Sequence, residues 1–224
     1  TDQGAIVSEI DAQFEKWHRN VDDSMRAELD ELEQSPESLQ DAFYRELSFG
    51  TAGLRGILGA GPNRMNVYTV GKATQGFANY LNAHFREPSV AIARDSRNRG
   101  EAFVKTCASV LAANGIKAYV YPEIEPTPAL SFAVRHLGCA GGINITASHN
   151  PAQYNGYKAY GPDGCQIASS AAAEIQQSID SLDFFDDVKR VDFDEALAQG
   201  SISWIEQETL DSFIDAVAAQ SVEG

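Results

Sequence analysis

The segment whose residues could do chemistry most directly is Thr146-Ala147-Ser148-His149-Asn150-Pro151. It follows an apolar run, Gly142–Ile145, that reads as a strand, so Ser148 sits on a loop at a strand end. Asn150-Pro151 predicts a turn, since the residue before a proline is pushed out of helical geometry. His149 places a titratable donor beside the Ser148 hydroxyl. Taken alone, Ser-His on a loop is ordinary surface decoration. A serine-hydrolase elbow would need Gly-x-Ser-x-Gly, and Thr146 and Asn150 stand where the glycines belong. Further on, Tyr154-Asn155-Gly156-Tyr157-Lys158 carries an Asn-Gly hairpin signal that returns Lys158 on a strand beside the serine loop. A lone strand lysine is normally solvated. One held toward a loop serine could neutralise a phosphate or transfer a proton.

Two more segments could meet an anion. In Phe49-Gly50-Thr51-Ala52-Gly53-Leu54-Arg55-Gly56 the glycines allow close backbone approach and Arg55 can hold two oxygens at once. The stretch lacks both the Gly-Lys-Ser/Thr ending of a P-loop and dinucleotide spacing, which disfavours nucleotides. In Arg94-Asp95-Ser96-Arg97-Asn98-Arg99 three arginines could face phosphate, or cap the sheet. Asp95 and Arg97 read as structural, paired internally.

These segments need elements to hold them. Ile6, Ile10, Phe14, Trp17, Val21, Met25, Leu29 and Leu32 recur every three or four residues, an amphipathic stripe broken near Asn20–Ser24, where Asp22 can cap a second helix. Ser35-Pro36 starts a third, running to about Glu46. Residues 1–46 thus read as a helical extension used for packing. Strand-like runs follow at Ser48–Leu58, Val90–Arg94, Ile116–Tyr121, Gly142–Thr146 and Tyr157–Tyr160. They alternate with helices at Thr69–Phe85, Glu101–Asn114, Pro128–Leu137 and Ser170–Leu182. The alternation predicts a three-layer α/β/α domain with a mostly parallel, mixed sheet over 47–200, ending in an acidic linker, Asp183–Gly200. Ser201–Ile205 and an apolar-faced helix, Glu206–Ala219, read as the start of a second domain over 201–224.

Composition narrows the partners. The 224 residues carry a net charge of −15, with 43% hydrophobic and 22% charged residues, ordinary for a globular chain. No run of ~18 apolar residues or basic-then-apolar leader is present, which argues against a membrane and for a cytoplasmic setting. Residues 1–46 hold 13 acids and 4 bases, and residues 174–224 hold 13 and 2. The middle reverses the sign, with 6 acids and 11 bases. Acidic flanks argue against nucleic acid, and a basic middle suits a small anion. Cys107, Cys139 and Cys165 are widely spaced and read as buried thiols rather than a zinc site or disulfides.

Together the four segments, in order from Phe49 to Gln166, resemble the α-D-phosphohexomutases. Gly59-Ala60-Gly61-Pro62-Asn63-Arg64-Met65-Asn66, with the helical extension, resembles the phosphoglucomutase and phosphopentomutase branch. The resemblance implies that Ser148 is a phosphoserine that exchanges its phosphate with a sugar phosphate through a sugar 1,6-bisphosphate. It implies that Arg55 and Asn150 bind phosphate or substrate, that Lys158 assists proton transfer, and that His149 shapes the catalytic loop. It implies Mg²⁺ as cofactor, with the Ser148 phosphate as one ligand and the others on later domains, since no Asp-x-Asp-x-Asp-Arg loop is present. The chain accordingly reads as a fragment that needs the missing C-terminal domains and is inactive alone. Glucose phosphate is the favoured substrate, with mannose or pentose phosphate as alternatives. A non-catalytic phosphosugar-binding module and a Ser/His hydrolase are the other classes. Arg55, Ser148 and Lys158 are expected to face one cleft at one sheet edge.

Overall fold

Apolar residues three and four apart fold the start of the chain into helices α1 (Asp2–Asn20), α2 (Asp23–Glu33) and α3 (Pro36–Phe43). The computed structural model describes residues 2–221, with side chains from residue 9 onward, so Ile6 of the stripe lies outside the described side chains. Asp22 caps α2 as expected, its carboxylate accepting from the Met25 amide at 3.0 Å. Pro36 occupies the first turn of α3, which ends at Phe43, short of Glu46. Trp17 anchors the extension, ringed by Phe43, Tyr68, Phe184 and Phe185 with ring centroids 5.0 to 6.0 Å away. Phe184 and Phe185 come from the stretch expected to be a linker. That stretch is instead a seam: its aromatics pack under the extension, and Asp183 pairs with Lys16.

The remaining elements are β1 (Leu54–Ile57), α4 (Val67–His84), β2 (Ser89–Arg94), α5 (Gly100–Ala113), β3 (Lys117–Val120), α6 (Thr127–His136), β4 (Gly141–Ile145), β5 (Tyr154–Tyr160), α7 (Ser169–Asp180), α8 (Phe193–Ala198), β6 (Ile202–Trp204) and α9 (Gln207–Ala218). The strands form one sheet in the order β1-β5-β4-β2-β3-β6. β4, β2, β3 and β6 run parallel, while β5 is antiparallel to both β4 and β1. Helices α4, α5 and α7 cover one face around Phe77, Phe103, Ile143 and Tyr157. Helix α6 covers the other around Ala93, Leu130, Val134 and Tyr160, joined by Phe213 of α9. This is the expected three-layer α/β/α arrangement with a mixed sheet. No helix among the described residues is long and apolar enough to cross a membrane.

Several boundaries differ, each for a physical reason. Of Ser48–Leu58 only Leu54–Ile57 is strand; a tight turn closed by Gly50 and Gly53 precedes it. Asn155-Gly156 is not a turn but lies inside β5. A Cβ on Gly156 would sit 2.5 Å from the Thr146 carbonyl oxygen and 2.9 Å from that of Leu54, so the glycine marks a strand squeezed between two others. Helix α4 starts two residues early because Asn66 and Thr69 form a capping box. Helix α6 begins at Thr127, with Pro126 at the cap and no side-chain cap bond. Within the expected linker, Asp192 caps α8 by accepting from the Glu195 amide at 2.9 Å. Ser201–Ile205 does not open a second sheet: β6 pairs in parallel with β3, and α9 lies against α6. On α9, Ile214 and Val217 stay 54% and 55% exposed; residues 222–224 lie outside the described ones. Cys107 and Cys139 are buried, but Cys165, in the turn after β5, is exposed.

Candidate active site

β2 and β4 run side by side in parallel, so the loops that follow them lie together at one sheet end. The Asp95 amide bonds the Ile145 carbonyl at 3.2 Å, and the Thr146 amide extends the β4–β5 ladder to the Gly156 carbonyl at 3.1 Å. The Thr146 hydroxyl then does two things. It donates to Asp95 Oδ2 at 2.5 Å and accepts from the Ser148 amide at 3.0 Å. Asp95 Oδ1 in turn accepts the Arg97 amide at 3.0 Å. Asp95 and Arg97 are thus structural, as their sequence context suggests, and Asp95 also reaches across to β4.

Ser148 has φ +55°, the left-handed region that a side chain with Cβ enters at a cost of ~1–2 kcal/mol. The loop is held there by Arg97. One terminal nitrogen of its guanidinium donates to the Ser148 and Asn150 carbonyls at 2.8 and 2.6 Å. The other donates to Pro151 and Tyr154 carbonyls, both at 2.9 Å. With its backbone tied down, Ser148 leaves its side chain exposed to solvent. Its Oγ lies 3.4 Å from His149 Nδ1, long for an O–H···N bond. Among the described residues His149 has no carboxylate partner, so nothing orients it as the base of a hydrolase triad. Asn150 is half-buried, and its side-chain Oδ1 is buried with no hydrogen-bond partner.

A cleft of about 330 Å³ opens between the two loops, lined by Ser148, Asn150 and the 95–98 segment. Arg55 and Lys158 do not line it. They are placed beside it by strand register. Leu54 and Tyr157 face the α4 cluster, so Arg55 and Lys158 project from the opposite face of the sheet. Arg55 pairs with Gly156, whose other neighbour is Thr146, two residues before Ser148. Lys158 is half-buried and pairs with Asn144, two positions deeper along the same face. Register therefore gathers Arg55, Thr146 and the serine loop at one level, with Lys158 behind them.

Asp95, Thr146 and Arg97 form a support that motif reading found only in part. For Thr146, which the sequence reading leaves without a role, the Thr-x-Ser spacing of a hydroxyl turn is the local signal that marks it. No local signal marks Arg97 as a ligand of carbonyls some fifty residues away. For Mg²⁺ the described residues do not form a site: no cluster of three or more His, Cys, Asp or Glu exists among them, and Asp95 is engaged by Thr146 and Arg97.

Comparison with known proteins agrees with this architecture. Residues 46–186 match the family model for the phosphoglucomutase/phosphomannomutase alpha/beta/alpha domain I. A phosphoglucomutase of Staphylococcus saprophyticus is 40% identical over 197 residues, covering 88% of this chain and 36% of that protein. One from Staphylococcus epidermidis is 45% identical over 149 residues, covering 66% of this chain and 27% of that protein. The chain thus spans about a third of the length of these relatives. A phosphoglucomutase/phosphomannomutase family protein from Burkholderia thailandensis shares the fold, with a TM-score of 0.58 at 22% identity over 77% of this chain and 35% of that one. With more than half its length matched, and the serine loop lying inside the matched span, this chain belongs to the phosphoglucomutase/phosphomannomutase family and carries its α/β/α domain I.

Proposed function

We propose that this chain is the phosphoserine-bearing part of an intramolecular phosphotransferase that interconverts hexose 1-phosphate and 6-phosphate, glucose phosphate foremost. The observation that carries the reading is Ser148 itself: an exposed hydroxyl held at φ +55° on a loop pinned by Thr146 and Arg97, at the mouth of a polar cleft. The 40–45% identical relatives named phosphoglucomutase support the choice of glucose over mannose or pentose.

In this reading Ser148 carries a phosphoryl group of ~−1.5 to −2 charge. A free hydroxyl of the sugar phosphate attacks phosphorus. The bond from phosphorus to the sugar oxygen forms as the bond to Ser148 Oγ breaks. The hydroxyl proton passes by way of Lys158 to Ser148 Oγ, so the proton the sugar loses is the one the serine regains. The resulting 1,6-bisphosphate turns over and returns its other phosphoryl group to Ser148 by the same exchange. Phosphoryl transfer depends mainly on positioning and charge stabilisation; in this reading Asn150, which lines the cleft, and Arg55 and Lys158, which stand beside it, supply them, with His149 shaping the loop. Mg²⁺ supplies charge neutralisation when bound. The Ser148 phosphate would offer it one oxygen, and its remaining ligands, like the other sugar contacts, would come from the part of the relatives' length that this chain does not span. The chain alone is therefore inactive. A cytoplasmic setting fits its three unpaired thiols.

The test is intact-mass measurement on the full-length polypeptide, before and after glucose 1,6-bisphosphate, in wild type and Ser148→Ala. Wild type gains one phosphoryl group and the variant none, and the variant loses at least ~1,000-fold in turnover. A phosphosugar-binding module would gain no phosphoryl group in either form. Turnover by Ser148→Ala above a few per cent of wild type rejects the assignment.

A further inference from the structure

We propose that Arg97 is the positioning residue of the phosphoryl-transfer loop: it sets where Ser148 Oγ sits without itself touching phosphate or sugar. The proposal rests on the reading of Ser148 as the phosphoryl carrier.

The argument starts from what the guanidinium has left to give. Both terminal nitrogens are committed to carbonyl oxygens, two each, at 2.6 to 2.9 Å. The third nitrogen, Nε, faces Asp95 Oδ2 at 3.7 Å. An arginine has five N–H donors, and four are spent on the loop backbone. The side chain is only 12% exposed, so the group is enclosed by the loop it binds. Although it borders the cleft, its one N–H without a hydrogen bond, on Nε, faces the Asp95 carboxylate.

Which carbonyls it binds matters as much as how many. Ser148, Asn150, Pro151 and Tyr154 span the connection from the reactive serine to the first residue of β5, so one rigid planar group fixes that stretch at several points at once. Carbonyl oxygens gathered around one point repel each other, and without a cation between them the turn opens. The clamp is also referenced to the sheet. The Arg97 amide is held by Asp95, whose other oxygen holds the Thr146 hydroxyl, which holds the Ser148 amide. Ser148 is therefore gripped on both sides, its N–H through Thr146 and its C=O by Arg97, and a left-handed φ is what satisfies both grips. Relaxing it to an ordinary φ swings the side chain away from the cleft. Misplacing a reacting atom by about 1 Å costs ~100-fold in rate.

A positioning role separates from a binding role in the kinetics. In the full-length polypeptide, Arg97→Lys keeps a positive charge but replaces the planar fork with a single ammonium, and Arg97→Gln removes the charge. For whichever variant melts within a few degrees of wild type, kcat falls ~100-fold or more while KM for glucose 1-phosphate stays within about threefold. A folded variant that keeps kcat within threefold overturns the proposal. So does one whose loss lies in KM, since that would make Arg97 a substrate contact. Hydrogen exchange gives a second reading that does not depend on Ser148 carrying phosphate. The hydrogen-bonded amides of the loop, those of Ser148 and Asn150, exchange at least ~10-fold faster in Arg97→Lys than in wild type, with the α4 and α5 amides unchanged. If wild-type Ser148 takes up no phosphoryl group, the function falls and this exchange result alone decides the clamp: faster exchange upholds it, unchanged exchange overturns it.

Discussion

Replacing Thr146 by valine isolates one hydroxyl that holds two partners. The side chain is almost fully buried and valine matches its shape, so the change leaves no cavity. Two bonds go: the donation to Asp95 Oδ2 at 2.5 Å and the acceptance from the Ser148 amide at 3.0 Å. A bond to a charged group contributes ~1.5–3 kcal/mol and a neutral one ~0.5–1.5. Asp95 is about a third exposed, so water recovers part of the first. Ser148 also regains part of the ~1–2 kcal/mol that its left-handed backbone costs. The net global loss is about 2 kcal/mol, a drop of roughly 4–8 °C in melting temperature for a chain of this size. The sharper signal is local. The Ser148 amide loses its acceptor, and its exchange accelerates about tenfold, the equivalent of ~1.4 kcal/mol. Thr146→Ser keeps the hydroxyl and keeps the amide protected. NMR-detected hydrogen exchange on wild type and both variants reads this directly. A valine variant whose Ser148 amide exchanges within twofold of wild type would falsify the account of how the loop is held.

Two further outcomes follow from the structure. Gly53 has φ +74°, and a Cβ there would lie 1.7 Å from the Tyr157 carbonyl oxygen, so Gly53→Ala forces β1 away from β5. Urea denaturation should show a loss above ~3 kcal/mol, and a midpoint near wild type would show that β1 can move freely. The buried Cys107 thiol and Tyr121 hydroxyl are both pushed up to about 12, in each case chiefly by burial, so the fold favours their protonated forms. Their contribution to stability is complete below their ordinary values of 9.0 and 10.0 and disappears as pH rises toward 12. The folded chain at pH 8 should therefore react with a thiol reagent at exposed Cys165 first, and stability should fall steeply between pH 10 and about 12. Equal reaction rates at Cys107 and Cys165, or a flat profile across that window, would contradict this.

What the sequence could disclose depended on whether the deciding interaction was local. Asp22 could be read as a helix cap because its partner, Met25, is three residues away. The alternation of strands and helices came through because period and length are local properties, and with it the three-layer architecture. Asn155-Gly156 misled for the opposite reason. The pair is a turn signal by local preference, but here the glycine is required by carbonyls of Leu54 and Thr146 on either side of β5, and neither neighbour is apparent from the pair itself. The acidic segment after α7 misled similarly. Its net charge is conspicuous and suggests solvent, whereas Phe184 and Phe185 find their partner in Trp17, about 170 residues earlier.

The same distinction divides the candidate site. Ser148, His149 and Asn150 are adjacent, and their chemistry can be named from their order alone. Their geometry cannot, because it is imposed from another strand. Arg97 reaches the serine loop across 51 to 57 residues and Asp95 reaches Thr146 across 51. Only the parallel pairing of β2 with β4 makes those separations short. It also explains why one sheet end combines a strained serine with a dense polar support. Two parallel strands that end together deliver two loops to one place, so one can carry the reactive hydroxyl while the other supplies the charges that hold it. A serine on an isolated hairpin, with the same local sequence, would have no second loop to keep it at φ +55° and would relax.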